Sequence, residues 1–203
     1  LTNGKRAIQL GNDDPERNHT IKKTDYTSLK SVFFKPFVIV YGTRGDESMD
    51  QKLLNSARSI ASRFWRVANG RTRILRDVDL DNTVIREFNL ILLGSQYVNR
   101  VTQEIIRDLP VEIGSNRLKM NGRVYPGDVS LAMLYPNPLN PKKMIALFGG
   151  TSPDSELLSL YFLPIYSGSG TPDYIIFNHD VLKYAWGGVQ AAGFFNHDWD
   201  FEN

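Results

Sequence analysis

The chain has 203 residues, of which 41% are hydrophobic, with a formal charge of +2 and no cysteine. That length can bury one core, and so small a charge does not suggest a nucleic-acid binder, whose footprint is a concentrated basic face. Without cysteine there are no disulfides, thiolate metal sites or cysteine nucleophiles. No apolar run reaches the ~18 residues that a membrane-spanning helix needs, so a soluble domain without a membrane span is expected. The chain starts at Leu1 with no charged-then-apolar leader, which reads as a segment of a longer precursor.

From Leu1 to about Phe34 the sequence is polar and weakly periodic, with a turn signal at Gly11 to Pro15, and reads as a linker or N-terminal arm. The α/β domain proper is expected over residues 35–203. Phe33 to Tyr41 is apolar and β-branched, ends at Gly42, and suits a buried central strand. Ser48 and Gln51 have capping-box spacing, and Leu53, Ala57, Ile60, Phe64 and Val67 form a helical stripe that Asn69 and Gly70 stop. A strand over Arg73 to Val78, a short helix over Thr83 to Phe88 and a buried strand over Asn89 to Leu93 complete a βαβαβ pattern. Val101, Ile105, Ile106 and Leu109 then mark a helix ended by Pro110.

The second half alternates differently. Asn121 and Gly122 stand between two short alternating runs, the signal of a hairpin whose turn needs positive φ twice. Strands over Val129 to Tyr135 and Met144 to Phe148 are joined by Pro136 to Pro141, a connection too short for a parallel crossover. Ser152 and Pro153 begin a helix through Leu160, and Asp173 to Phe177 is the last strand. The aromatic tail, with Tyr184, Trp186, Phe194, Phe195 and Trp199, is expected to pack over the sheet edge. The pattern predicts a three-layer, flavodoxin-like or Rossmann-like mixed sheet, mostly parallel, with an antiparallel hairpin portion.

Three turns each follow a predicted strand and open a predicted helix: Gly42 to Ser48, Gly94 to Asn99, and Gly149 to Ser152. In open α/β sheets the ligand crevice lies at such strand ends. The candidate ligand-binding residues are therefore Thr43, Arg44, Asp46, Ser48, Ser95, Gln96, Asn99, Thr151 and Ser152. Helix capping accounts for the same residue types, and no turn matches a phosphate-loop or dinucleotide fingerprint. Arg44, Arg58, Arg63, Arg66, Arg71, Arg73 and Arg76 crowd one stretch but spread over a loop, a helix and a strand, as a solvated surface would.

Other candidates fail on spacing. Asp77, Asp79 and Asp81 start like a calcium loop, but Asn82 and Phe88 stand where glycine and a closing glutamate belong. His19, His179 and His197 have no metal spacing, and Asp198, Asp200 and Glu202 read as a solvated tail. The GxSxG signature is missing, and the run Ser167 to Gly170 has the wrong spacing. No catalytic residue, metal ligand or cofactor is assigned.

Four segments carry a resemblance: Lys35 to Thr43, Asn89 to Gly94 with Asn99, Tyr135-Pro136-Asn137-Pro138-Leu139-Asn140-Pro141, and Ala192 to Phe195 before Trp199. Together they resemble the C-terminal domain behind the catalytic domain of secreted prolyl oligopeptidase-like α/β-hydrolases, over about residues 25 to 203. The resemblance implies a parent enzyme acting on esters or peptides, with its triad upstream, an extracellular or cell-surface location, and a catalytic α/β-hydrolase domain as partner in the same polypeptide. A homo-oligomer stays open. The function expected is a non-catalytic accessory domain that shapes substrate access or assembly. The alternatives are a stand-alone flavodoxin-like binder of a phosphate-bearing ligand and a glycan-binding or structural surface module.

Overall fold

The computed structural model describes residues 20–24, 26–166, 168 and 170–201. The turn expected at Gly11 to Pro15, and the positions of His19, Ser167, Ser169 and Glu202, lie outside them.

The main sheet contains β1 (Phe37–Tyr41), β2 (Arg73–Arg76), β3 (Asn89–Leu93), and the long pair β7 (Ser130–Asn137) and β8 (Asn140–Gly150). With β9 (Tyr174–Phe177) and β10 (Val189–Gly193) they give seven strands in the order β10-β9-β7-β8-β3-β1-β2. β1, β2, β3 and β8 are mutually parallel, with Ile39 opposite both Ile74 and Ile91, and Leu92 opposite Leu147. Every residue of β3 is buried, so this strand is covered on both faces. A fully buried aliphatic side chain contributes about 1.5–3 kcal/mol, which makes the Leu90 to Leu93 run a principal source of stability.

The helix α1 (Glu47–Ala68) buries Met49, Leu53, Ala57 and Ile60 and packs against β1. Its cap is Asp46, which accepts from Met49 N at 2.7 Å, not the expected Ser48 and Gln51 pair. Asp46 stands in extended conformation two residues earlier, where Gly45 N can also reach Asp50 Oδ1. At the other end Asn69 takes the left-handed conformation, as the Asn-Gly stop signal implies. The remaining described helices are short: α2 (Asn82–Glu87), α3 (Arg100–Ile105), α4 (Pro153–Leu158) and α5 (Val181–Tyr184).

This architecture corrects the expected three-layer, mostly parallel, flavodoxin-like or Rossmann-like sheet. Antiparallel pairs join β7 to β8, β7 to β9 and β9 to β10, so antiparallel ladders make up one whole side of the sheet. The cause lies in the Pro136 to Pro141 connection. It is tight enough to fold β7 straight back on β8, and it reverses the direction of the sheet next to its parallel half. The Asn-Gly hairpin also leaves the main sheet. β4 (Val111–Gly114), β5 (Arg117–Met120) and β6 (Arg123–Pro126) form a separate three-stranded antiparallel sheet, with Asn121 and Gly122 both at positive φ. Only α1 among the described helices is longer than six residues, too little helix to cover both faces of seven strands.

Residues 29–34 form a 3-10 helix that buries Leu29 and Val32, where the sequence pattern suggests an arm before a strand. Upstream, Ile21 N donates to Pro141 O at 2.8 Å, and Trp199 Nε1 donates to Ile21 O at 2.6 Å. Lys23 N reaches His197 O, and His197 Nδ1 lies 2.8 Å from Lys23 O. The Lys23 ammonium lies 3.3 Å from Asp173 Oδ2, an oxygen that also accepts from Phe195 N. Phe195 and Trp199 are buried, with Tyr135 edge-on to both rings. The aromatic tail thus packs in part, while Tyr184, Trp186 and Phe194 remain exposed.

Asp173 is fully buried and Lys23 nearly so. Removing one partner of such a pair leaves a charge in a site it cannot leave, so Lys23→Met should lower unfolding stability by about 3 kcal/mol, read by urea titration. The exposed pair Lys22 with Asp198 serves as control, and Lys22→Met should shift the midpoint little.

Candidate functional site

The parallel strands β1, β3 and β8 end side by side, and their following turns press together. A Cβ on Gly42 would stand 2.2 Å from Val98 O, so only glycine lets the turn after β1 meet the turn after β3. Arg44 N donates to Val98 O at 3.0 Å across this contact. A Cβ on Gly150 would likewise meet the Ser155 backbone at 2.3 Å, so the end of β8 lies directly under the first turn of α4.

Between these turns lies a cavity of about 430 Å³. The turn into α1 supplies Gly45, Asp46, Ser48, Met49 and Lys52 to its lining, and the turn after β3 supplies Tyr97 and Val98. The start of α4 adds Gly150, Thr151, Ser152, Pro153 and Glu156, and Ser115 from the β4–β5 turn closes one side. The small sheet is held in place as a wall. Tyr97 Oη and Gln96 Nε2 donate to Ile113 O, Asn116 N reaches Thr151 O, and Thr151 Oγ1 donates to Gly127 O while accepting from Val129 N. A second cavity of about 460 Å³ lies across Tyr97, lined by Glu112, Arg117 and Lys119 among others.

Glu156 is the central polar group. The residue is 4% exposed. Oε2 accepts from Ser95 N at 2.9 Å and from Gly150 N at 3.0 Å, and Oε1 is bonded by Ser95 Oγ. Burial pushes this carboxyl up to about 7, against the lowering effect of the hydrogen bonds from Ser95 and Gly150. One side chain therefore ties the end of β3 to the end of β8.

Of the candidates named from sequence, Asp46, Ser48, Thr151 and Ser152 line the cavity. The others are engaged nearby. Thr43 Oγ1 donates to buried Asp77 at 2.5 Å, and Arg44 bonds Gln103. Ser95 holds Glu156, and Gln96 holds the small sheet. Asn99 caps α3 through Val101 N and Thr102 N while its amide donates to Val40 O and Leu93 O. Ser152 caps α4 by accepting from Ser155 N, in a capping box with Ser155.

The Asp77, Asp79, Asp81 series disperses in the same manner. Asp77 accepts from Arg100 N at 2.6 Å, Asp79 takes a two-pronged bond from Arg76, and Asp81 caps α2 through Val84 N. Among the described residues no three His, Asp or Glu side chains gather as metal ligands, and no helix is long and apolar enough to cross a membrane.

Sequence reasoning missed Glu156, Met49, Lys52, Tyr97, Val98 and Ser115. Glu156 reads as an ordinary acidic residue of a helix's first turn. No signal in the sequence marks its burial, which follows from its partners Ser95 and Gly150 on two other segments. Compared with known proteins, the chain matches no family model, and a search of curated proteins found no match.

Because the folded carboxyl of Glu156 holds its proton to about pH 7 and an unfolded one releases it near 4.5, the folded state binds more protons between those values. Stability should accordingly fall as pH rises from about 4.5 to about 7, by up to roughly 3 kcal/mol. Glu156→Gln cannot ionise: its amide oxygen still accepts from the two N–H groups while its NH2 needs Ser95 Oγ to turn and accept, so it should flatten that slope in thermal melts. Glu156→Ala strands the Ser95 and Gly150 N–H groups and should cost about 2–4 kcal/mol near pH 4.5, and less as the pH rises toward 7 and the wild type loses its own advantage.

Proposed function

We propose that this chain is a non-catalytic accessory domain of a larger secreted serine hydrolase of the prolyl oligopeptidase-like kind, shaping substrate access or assembly through its strand-end crevice. The observation that carries the reading is how the crevice is built. Its walls are mainly apolar, through Met49, Val98 and Pro153, and its central carboxyl faces the Ser95 hydroxyl and two backbone N–H groups. The hydroxyls of Ser95, Thr151, Ser152 and Ser155 are committed to joining turns and capping α4. Nucleophilic catalysis by a serine asks for a base that takes its proton and is itself oriented by a third group. Ser95 is fully buried, so its hydroxyl, bonded to the Glu156 carboxyl, is closed off from a substrate carbonyl.

The segment that carries most of the resemblance also has a physical role that suits a structural module. Asn137 Oδ1 accepts from Leu139 N, Asn140 Oδ1 accepts from Lys142 N, and Asn140 Nδ2 donates to Ile85 O. These bonds fix the β7–β8 turn and fasten it to α2, so the motif sets the sheet's geometry.

The phosphate-binding alternative finds less support. Backbone N–H groups that could cradle a phosphate at the strand ends already meet the chain's own acceptors: Asp46 at Met49 N, Asp77 at Arg100 N, and Glu156 at Ser95 N and Gly150 N. A further anion would stand among these carboxylates.

Extending the reading frame upstream of Leu1 tests the proposal. It should reveal a GxSxG segment followed by Asp and His; a frame without them overturns the reading. In the full-length parent, Val98→Trp fills the crevice and should raise KM several-fold with kcat unchanged, whereas unaltered KM would remove the crevice from substrate access.

A further inference from the structure

We infer that the strand-end crevice binds a short apolar peptide by its N-terminal ammonium group, which Asp46 receives. The inference rests on reading the crevice as a binding site and not on what precedes the chain.

The cavity's size suits two small residues, and its volume falls in the range of small-molecule sites. Met49, Val98 and Pro153 offer aliphatic surface to a side chain such as leucine. The polar groups determine the charge of the ligand. Asp46 is exposed, with one oxygen holding Met49 N, and Glu156 is buried among its own donors. Asp50, which accepts from Gly45 N, adds a second carboxyl near Asp46. Against these stands Lys52, further along α1. A free phosphate or carboxylate alone would meet acceptors where it needs donors. An ammonium meets Asp46, and a peptide's distant carboxylate can meet Lys52, so a zwitterion with an apolar middle matches the lining from end to end. Ser48 and Ser115 also line the cavity, and their hydroxyls can bond a peptide group.

Asp46 doubles as the N-cap of α1, which makes the choice of variant matter. Asparagine caps a helix as well as aspartate does, so Asp46→Asn removes the charge and keeps the fold. Its melting temperature should stay that of the parent chain.

The test uses the ¹⁵N-labelled 203-residue chain and three probes: leucyl-leucine, N-acetyl-leucyl-leucine and inorganic phosphate. Leucyl-leucine should give saturable amide shifts at Gly45, Val98 and Ser115. Acetylation of the probe, or Asp46→Asn in the protein, should each weaken binding about tenfold, and the two changes together no further than either alone. Val98→Trp should abolish the shifts. Equal affinity for both dipeptides, shifts caused by phosphate at the same amides, shifts that persist in Val98→Trp, or none with leucyl-leucine would each overturn the inference. None of these results alters the upstream reading frame or the KM of the parent enzyme, so a failure here is separable from a failure of the accessory-domain reading.

Discussion

The crest of the parallel strands holds together because a single carboxyl, that of Glu156, satisfies three donors that would otherwise be buried without partners. The turn after β3 and the end of β8 are close-packed, with Ser95 and Gly150 both buried. Backbone N–H groups in such places need an acceptor, and an unmet one costs about 1–3 kcal/mol. The chain supplies the acceptor from the first turn of α4. In doing so it accepts the cost of burying an ionisable group, which appears as a carboxyl that holds its proton to about 7.

The same solution recurs around the crest with other residues. Asp77 joins the end of β2 to α3 and the Thr43 hydroxyl, Asp46 closes α1, and Asn99 bridges three elements. Folds that hold nucleotides leave these N–H groups for the ligand. Here they are taken, and what remains open is the apolar space between the turns, bounded by Val98, Met49 and the wall of the small sheet. The site is thus defined more by shape and residual negative charge than by preformed anion holes.

Much of the parallel half was legible. The run Leu90 to Leu93 announces a strand buried on both faces, Ser152 with Pro153 announces a helix start, and Asn121 with Gly122 announces its turn, all because local backbone chemistry decides them. The arrangement of these pieces was not. Whether the hairpin at Asn121 adds to the main sheet or forms its own depends on contacts such as Gln96 and Tyr97 with Ile113, which no local pattern encodes. The cap of α1 was misplaced by two residues since Asp46 and Ser48 have equal capping chemistry, and only the backbone angles at Asp46 distinguish them. Among the cavity residues, those with cap-forming side chains were found and those defined by burial, above all Glu156 and Val98, were missed.

The two margins of the seven-stranded sheet differ in how they end it. β2 spans four residues with an exposed arginine at each end, Arg73 lying over the Phe88 ring and Arg76 clasped by Asp79. β10, at the far margin, breaks register between Val189 and Ala191. A strand from a second molecule would find a short, positively charged ladder on one side and an interrupted one on the other. Aggregation by sheet extension is thereby discouraged at both borders, which leaves the apolar interior of the sheet free to be as continuous as β3 makes it.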